Sequence, residues 1–328
     1  MKIVSALAGK RRAITAMAGN GEILVGQRRN LQLLPPEHLM LGIIVGFGLA
    51  AVALVLATGR IVNWPPFLVG FFATLGLVGV GGYIRAVKAA PRIALAVIGV
   101  GVFMGFTAVS TVFIFALFPL PNPLIDQQLI ALDAQVGYHW PGFVAGLAEY
   151  PWFARGLGYL YHTSLPQIVL LIIVLGALAR EVALHRLLLV GIVTLIVTVA
   201  IWWLWPSVGP SAYQTIPKPI LAATGLYYDD AYGAYLKQLV EVGPGRISPE
   251  VITGVVAFPS YHMVMACMVV WFSRATVLFL PALVANLAMI PATLSHGGHH
   301  LIDLAAGVVV FAACLAVAHR IIPSPSSV

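Results

Sequence analysis

The chain alternates long runs of apolar residues with shorter polar connections along most of its length. Eight of these runs are about as long as a helix must be to cross a hydrocarbon core of roughly 30 Å, and Lys and Arg lie mostly at their ends. Helical spans are predicted at about residues 39–58, 66–86, 93–118, 157–179, 187–205, 256–273, 276–295 and 300–320. The pattern therefore predicts an all-α fold, a polytopic transmembrane helical bundle with about eight spans.

Composition supports the membrane class. Hydrophobic residues make up 60% of the chain and charged residues 9%, whereas charged residues are about 25% of an average soluble domain. So few charges cannot cover the surface of a water-soluble fold of 328 residues. The bilayer is therefore expected to be the main solvent of this chain.

The first 37 residues form a cationic leader that differs from the rest. They contain no apolar core followed by a small-residue cleavage site, so the leader does not match a cleaved signal peptide. It is expected to lie on the cytoplasmic or interfacial surface of the membrane. Nucleic-acid binding is disfavoured because aromatic interleaving and a recognisable binding module are missing. The basic residues of the leader are Lys2, Lys10, Arg11, Arg12, Arg28 and Arg29.

The distribution of positive charge predicts the orientation. With both termini inside, thirteen of the 18 Lys and Arg residues fall on inner segments and five on outer segments. This predicts a multi-pass protein of the cell (inner) membrane, and the net charge of +7 then needs no acidic partner. Six tryptophans are expected near the outer interface as headgroup anchors, namely Trp64, Trp140, Trp152, Trp202, Trp203 and Trp205.

Two outer connections are too long to be simple turns. Residues 119–156 contain apolar positions at helical spacing, which predicts a short amphipathic interfacial helix. Asp126, Asp133 and Glu149 are expected to be solvated polar residues of this segment, or alternatively to line a substrate entrance. Residues 206–255 are rich in Pro, Gly and Tyr, and loops of this length are usually functional or disordered.

Two histidine-bearing segments, Phe258-Pro-Ser-Tyr-His262 and Gly297-Gly-His-His-Leu-Ile-Asp303, carry the candidate chemistry. The predicted topology puts both on the outer side, each at the start of a helix. Unpaired backbone N–H groups and the positive end of the helix dipole make such a place suitable for an anion. The sequence therefore predicts an anion site where the two segments meet, on the extracytoplasmic face.

Individual residues of these segments have assignable roles. Ser260 is predicted to be an N-cap residue after a proline, and Gly297 and Gly298 would allow the backbone to approach a ligand closely. His299 and Asp303 are four residues apart on one helix face, so the carboxylate can orient the imidazole. The other ring nitrogen of His299 is then free to attack phosphorus, and His262 can protonate the leaving alkoxide.

The two segments resemble the second and third signature motifs of the type 2 phosphatidic acid phosphatase superfamily. The nearest pattern is that of the branch with inositol phosphorylceramide synthases and bacterial relatives, Phe-Pro-Ser-x-His and Gly-Gly-His-Tyr-x-x-Asp, although His300 replaces the Tyr. The resemblance spans about residues 93–320. It implies a phosphohistidine on His299, His262 as acid and base, and Asp303 as orienting partner.

The resemblance also implies a domain arrangement. A catalytic six-helix membrane core at residues 91–328 would follow two extra transmembrane helices at residues 38–90 and the leader at residues 1–37. The superfamily's phosphatases have an Arg six residues before the nucleophile, where this chain has Thr293, and their Lys-x6-Arg-Pro motif is missing on the outer side. These departures favour the synthase-like branch. They leave the phosphate ligands open: Ser260, Gly297 and Gly298 are candidates, and the outer-side cations near the motifs or spans are Arg246, which ranks first, Lys218 and Arg155.

The sequence thus predicts a membrane enzyme, a phosphatase or phosphotransferase, that cleaves or transfers the phosphoryl-headgroup linkage of a lipid. Its substrate would be a membrane phospholipid or lipid phosphate, its acceptor water or an alcohol, and it would use no cofactor and no metal. One alternative is a phosphatase of phosphatidic acid or polyprenyl phosphate. Another is a transporter or a metal- or haem-binding membrane protein that uses His296, His299 and His300. The oligomeric state stays open.

Overall fold

A computed structural model of the chain describes residues 33–227, 230–251 and 254–324. The predicted all-α fold is confirmed, because these residues form thirteen α-helices and no strand. Residues 1–32 of the predicted leader lie outside the described residues. The helices are α1 Pro35–Thr58, α2 Trp64–Tyr83, α3 Pro91–Ala116, α4 Asp126–Gln135, α5 Trp140–Ala148, α6 Pro151–Tyr161, α7 Ser164–Ala177, α8 Glu181–Leu204, α9 Lys218–Thr224, α10 Asp230–Glu241, α11 Tyr261–Ser273, α12 Phe279–His296 and α13 Leu301–Ile321.

Six of the described helices are long and apolar enough to cross a membrane, namely α1, α2 with its π-helical extension, α3, α8, α12 and α13. Helices α6 and α7 qualify as a seventh span only when taken together, and they are bent by 53°. Helix α11 has 13 residues and rises about 20 Å. The eight predicted segments are thus all helical, but two of them are not simple straight spans.

The bend between α6 and α7 has a local cause. Pro166 has no backbone N–H, and its ring would clash with the carbonyl of His162 in a continuous helix. The hydroxyls of Thr163 and Ser164 donate instead to the carbonyls of Leu160 (2.6 Å) and Tyr161 (3.0 Å), which closes the end of α6. The break therefore places Tyr161 at the end of a helix beside the motif segments.

Helices α3, α7, α8, α11 and α13 share one buried apolar cluster. Its members include Ile98, Leu171, Leu187, Val264 and Val310. Because lipid is as apolar as these side chains, close van der Waals packing rather than water exclusion holds such helices together. The cluster fixes α11 against α8 and α13, the helices that position the histidine segments.

A buried ion pair connects the N-terminal helices to the rest of the bundle. Both guanidinium Nη atoms of Arg85 lie 2.7 Å from the carboxylate oxygens of Glu37, a bidentate arrangement. His185 Nε2 of α8 lies 3.4 Å from Glu37 Oε1. The predicted division of the chain at residues 37 and 90 stays a prediction, but α1 is joined to α8 at this point.

The prediction that all six outer tryptophans are interface anchors is wrong for two of them. Trp140 and Trp202 are buried, and their indole N–H groups donate to the carbonyls of Leu294 (3.0 Å) and Ser207 (3.1 Å). The reason is that both long connections fold over the helix ends. Trp152, in contrast, is 78% exposed and suits the interface.

Candidate active site

Helices α11 and α13 begin side by side. The backbone N–H of Ser260 donates to the carbonyl of Asp303 at 3.0 Å. One turn further along α13, a Cβ added to Gly307 would lie 2.5 Å from the carbonyl oxygen of Ser260, so the close crossing requires glycine there. The structure therefore brings the two histidine segments into direct contact.

His299 is oriented by Asp303. Its Nδ1 lies 3.0 Å from Asp303 Oδ2, and both residues are buried. A carboxylate accepts a hydrogen bond, so Nδ1 carries the proton in this arrangement and Nε2 has a free lone pair. That nitrogen lies 3.4 Å from the hydroxyl oxygen of Ser260.

Ser260 is the N-cap of α11, which confirms its predicted structural role. Its hydroxyl oxygen accepts a hydrogen bond from the backbone N–H of Met263 at 3.4 Å. The same hydroxyl faces His299 Nε2. The start of α11, with the positive end of its dipole, is therefore next to the unprotonated nitrogen of His299.

His262 faces His299 across a short gap. The centroids of the two imidazole rings are 6.4 Å apart. On its other side the His262 ring stacks on Tyr161, with centroids 4.1 Å apart and planes 24° from parallel, and Tyr161 Oη lies 3.3 Å from His262 Nδ1. Sequence reasoning missed Tyr161, since its contact with His262 depends on the bend after α6.

The N-terminus of α13 is closed by carboxylates. Asp133 of α4 accepts hydrogen bonds from the backbone N–H groups of Leu301 (2.9 Å) and Ile302 (3.2 Å). Asp303 accepts from the N–H of His300 at 2.9 Å. The prediction that this helix start offers unpaired N–H groups to an anion is therefore wrong, because side chains of the protein already satisfy them.

The prediction that Asp126 and Asp133 are solvated is also wrong. They are 0% and 4% exposed and lie on the inner face of α4. Asp126 Oδ1 accepts from the Ser207 hydroxyl (2.7 Å) and the Gly209 N–H (2.8 Å). Their seven-residue spacing, two helical turns, was the sequence signal that both carboxylates share one helix face.

His300 connects these two carboxylates. Its Nε2 lies 3.2 Å from Asp126 Oδ1, and its Nδ1 lies 3.5 Å from Asp133 Oδ2. Burial alone would lower the pKa of His300, but the hydrogen bonds to Asp126 and Asp133 outweigh burial and raise the pKa to about 9. His300 is therefore a cation at neutral pH, held between two carboxylates directly beside His299.

Gly297 and Gly298 end α12 and pack against the site. Their backbone N–H groups donate to the carbonyls of Ala292 (3.3 Å) and Ser295 (3.2 Å). A Cβ on Gly297 would lie 2.8 Å from the ring of His299, and Gly298 has a φ of 57°. The glycines thus let the backbone approach His299, while a role in phosphate binding stays a prediction.

Two further positions concern the cations that would bind a phosphate group, Arg246 as the predicted ligand and Thr293 as the replacement of the superfamily's arginine. Arg246 donates from Nη2 to the side-chain oxygen of Asn63 at 2.9 Å, in the connection between α1 and α2. The structure thus pairs Arg246 with that connection, and its predicted phosphate contact stays a prediction. Thr293, which replaces the superfamily's arginine, is buried, and its hydroxyl has no hydrogen-bond partner within the described part of the chain.

An apolar cavity of about 300 Å³ lies inside the bundle between α3, α7, α8 and α11. Its wall is mostly aliphatic and aromatic, and Tyr261, His262 and Gly254 belong to it. The cavity therefore extends from His262 into the apolar interior of the bundle. Other residues of its wall are Val102, Phe106, Thr107, Ile168, Leu188 and Ile192.

The outer histidines do not converge. His299 is paired with Asp303, His300 with Asp126, and His296 Nδ1 lies 3.0 Å from the Ser295 hydroxyl. Within residues 33–227, 230–251 and 254–324, no group of three or more His, Cys, Asp or Glu side chains is arranged to hold a metal ion. This geometry gives the metal-binding alternative no support.

Comparison with known proteins identifies the family. The family model described as the PAP2 superfamily matches residues 127–317, from the first turn of α4 to about one turn before the end of α13, and this segment includes both histidine motifs. No curated protein and no solved structure gives a significant match. The match covers more than half of the 328 residues, so the chain belongs to the PAP2 superfamily, whose members are generally phosphoesterases.

Proposed function

We propose that this protein is a membrane enzyme that cleaves or transfers the phosphoryl-headgroup linkage of a lipid through a phosphohistidine on His299. The observation that carries the proposal is the pairing of His299 Nδ1 with Asp303 at 3.0 Å, which leaves Nε2 free toward Ser260. An oriented, unprotonated imidazole nitrogen is a competent nucleophile. The 6.4 Å between the ring centroids of His262 and His299 suits one phosphoryl group between them, since reacting atoms approach to about 3–3.5 Å.

In the first half-reaction, the Nε2 lone pair of His299 attacks phosphorus and forms the P–N bond. The bond between phosphorus and the oxygen of the lipid alcohol breaks, and the departing oxygen takes a proton from His262. Asp303 keeps the proton on Nδ1 in place as positive charge develops on the imidazole. The products are a free lipid alcohol and a phosphorylated His299.

The second half-reaction reverses the proton transfers. His262, now neutral, takes the proton from water or an alcohol, and the oxygen of that acceptor attacks phosphorus. The P–N bond breaks and Nε2 regains its lone pair. Water as acceptor gives hydrolysis, whereas an alcohol acceptor gives transfer.

The phosphoryl oxygens need donors, and hydroxyl groups are the nearest candidates. Ser260 Oγ lies 3.4 Å from His299 Nε2, and Tyr161 Oη lies 3.3 Å from His262 Nδ1. Both can rotate their O–H groups toward a bound phosphoryl group, and the dipole of α11 adds positive potential there. We assign them this role ahead of Arg246, which is already paired with Asn63.

The cavity supports a lipid as the substrate. Its volume of about 300 Å³ is at the lower end of the range of small-molecule sites, and its wall is apolar. A hydrocarbon chain placed there would have its polar end at His262. The positive-inside count predicts that this end of the bundle faces the extracytoplasmic side, from which a soluble acceptor would arrive.

Headgroup transfer is favoured over hydrolysis by the motif pattern. Thr293 replaces the arginine of the phosphatases, and the hydrogen-bond partners of His262 and His299 among the described residues are hydroxyls and a carboxylate. The synthase-like branch shares this lack of cations. A phosphatase of phosphatidic acid or polyprenyl phosphate is the second candidate, and it differs only in the acceptor.

A headgroup-resolved lipid assay on purified protein tests the proposal. Radiolabelled phospholipid is supplied with and without an alcohol such as inositol, and lipid and water-soluble products are separated. Transfer predicts a new water-soluble phosphate ester that contains the added alcohol and appears together with the free lipid alcohol, whereas the same hydrolysis product with and without the alcohol would favour the phosphatase. His299→Ala should abolish turnover, while His38→Ala, an exposed histidine of α1, should leave it unchanged.

A further inference from the structure

A second pocket lies at the end of the bundle opposite the histidine segments. It has a volume of about 450 Å³ and is formed by the start of α8, the end of α11 and the end of α13. The distribution of Lys and Arg predicts that this end is cytoplasmic. Its charged and titratable wall residues are Arg180, Glu181, Arg186, Arg274 and His319.

The pocket has an excess of positive charge. Three guanidinium groups line it, and among the described residues of its wall Glu181 is the only carboxylate. Arg186 is held in place, since its Nε donates to the carbonyl of Ile322 (2.8 Å) and its Nη2 to the Ser324 hydroxyl (3.1 Å). Arg180 is exposed, and its guanidinium forms no hydrogen bond or ion pair with another described residue.

Arg274 is prepositioned by an aromatic ring. Its guanidinium carbon lies 3.3 Å from the centre of the Trp271 ring, and its Nε donates to the carbonyl of Trp271 at 2.9 Å. A cation–π contact this short restricts the guanidinium to the face of the indole ring, and its Nη groups form no hydrogen bond with another described residue. A phosphate oxygen can bind there without a large loss of side-chain entropy.

Part of the wall is apolar. Val182, Ala183, Trp271 and Phe272 line the same pocket. A small soluble anion would not contact these apolar side chains. A phospholipid would place its phosphate among the cations and its glycerol and chains along the apolar side chains. Basic pockets between helix ends on the cytoplasmic side are the usual places where anionic lipid headgroups bind.

We propose that this pocket binds the phosphate of an anionic phospholipid of the surrounding leaflet, as a site separate from the substrate cavity. Arg180 and Arg274 contact the phosphate, and Trp271 and Phe272 contact the chains. The bound lipid joins the inner ends of α8, α11 and α13. Because it binds the folded protein only, it raises the apparent stability of the bundle.

The test uses the full-length protein in detergent, titrated with mixed micelles of phosphatidylglycerol or phosphatidylcholine while thermal unfolding is followed. Phosphatidylglycerol should raise the unfolding midpoint and phosphatidylcholine should not. Arg180→Gln and Arg274→Gln should each increase the half-saturating lipid concentration roughly fivefold, and high salt should do the same. Arg274→Lys keeps the positive charge but loses the contact of the guanidinium with Trp271, so its half-saturating concentration should lie between those of the wild type and Arg274→Gln.

Arg320→Gln is the matched control, since Arg320 is exposed at the same end of α13 but does not line the pocket. An equal loss with Arg320→Gln, or equal stabilisation by phosphatidylcholine, would overturn the proposal. Competition by inorganic phosphate at the lipid's own half-saturating concentration would also overturn it, because the site would then take a free anion. If the lipid bound only in the substrate cavity, Arg180→Gln would leave the half-saturating lipid concentration unchanged. That result would also overturn the proposal.

Discussion

At the scale of single residues, Asp303 links His299, the proposed nucleophile, to the start of α13. One carboxylate oxygen, Oδ2, accepts from both His299 Nδ1 (3.0 Å) and the backbone N–H of His300 (2.9 Å). The imidazole orientation therefore depends on a group that is itself fixed by the backbone. Such a nucleophile needs little rearrangement before reaction, which lowers the cost of reaching the transition state.

Replacement of Asp303 by Asn should show how much this orientation contributes. The amide can donate to Nδ1 and so favour the tautomer that carries its proton on Nε2, the atom that must attack. Turnover is expected to fall by roughly 10²- to 10⁴-fold with little change in KM. The measurement is the steady-state kcat and KM for lipid turnover. If kcat/KM fell by the same factor because KM rose while kcat did not change, Asp303 would act in substrate binding instead.

The proposed role of His262 as general acid predicts a dependence on the leaving group. His262→Gln should slow turnover of a lipid phosphoester by roughly 10²- to 10⁴-fold, because an alkoxide leaves poorly without a proton. An activated ester such as p-nitrophenyl phosphate needs no such protonation and should lose far less. Equal losses for both substrates would remove His262 from this role.

The sequence predicted this residue-level chemistry unevenly. His299 and Asp303 were paired on the assumption that both lie on one helix face, and that assumption is wrong because α13 begins at Leu301 and His299 precedes its N-cap, His300. The pair forms nevertheless, because Asp303 in the first turn of α13 accepts from both His299 Nδ1 and the His300 N–H. Tyr161 could not be predicted in this way, since it reaches His262 only through the bend that Pro166 imposes. Sequence spacing therefore indicates contacts between residues that are close in the chain, but it does not predict contacts between different helices.

At the scale of secondary-structure elements, α4 is the main departure from the prediction. A helix in that connection was expected from its apolar spacing, and it is present, but its buried face carries Asp126, Leu129 and Asp133. The two carboxylates hold His300 and the N-terminus of α13. An amphipathic pattern therefore located the helix correctly, while the identity of its inner face depended on polar partners from residues far away in the chain.

The His300 cluster predicts a stability that depends on pH. Because the pKa of His300 is raised from 6.5 to about 9, its stabilising charge is complete below pH 6.5 and is lost as the pH rises through 9. The unfolding midpoint of the wild-type protein should thus fall by several degrees between pH 7 and pH 9.5. Thermal unfolding followed by tryptophan fluorescence measures this.

Asp133→Asn removes one partner of the His300 cation, so the decline with pH should become shallower and the protein less stable at pH 7. Glu149→Gln is the control, since Glu149 is an exposed carboxylate of the same outer segment. An unchanged pH slope in Asp133→Asn would show that His300 does not carry the charge.

At the scale of the whole molecule, hydropathy predicted the class of fold but not the shape of the interior. Spans were found because any helix in lipid must be apolar. The short α11 and the burial of Trp140 and Trp202 arise from how the outer connections fold over the helix ends, whereas the bend between α6 and α7 arises at Pro166. These connections also supply Asp126, Asp133 and Ser207, which explains why they are long.

The cavity between α3, α7, α8 and α11 gives a prediction at this scale. Thr107 lines the cavity at a position that is not among the motif residues, and Thr107→Phe should fill part of it. The KM for a long-chain phospholipid should rise roughly tenfold or more, which corresponds to about 1.4 kcal/mol of lost binding. The KM for a short-chain substrate should change little.

Thr107→Val is the matched control because it preserves the volume of the side chain. If Thr107→Phe raised the KM for long- and short-chain substrates equally, the cavity would not hold the hydrocarbon chain. An unchanged KM for both would lead to the same conclusion.

The central claim is that phosphorus becomes bonded to His299 during turnover. A single-turnover experiment with phospholipid labelled with ³²P in its headgroup tests this directly, with an alkaline quench because a P–N bond is labile in acid. We predict that label appears on the wild-type protein before product, maps to a peptide containing residue 299, and is absent from His299→Ala. Product formation without a labelled protein, or label retained by His299→Ala, would contradict the account.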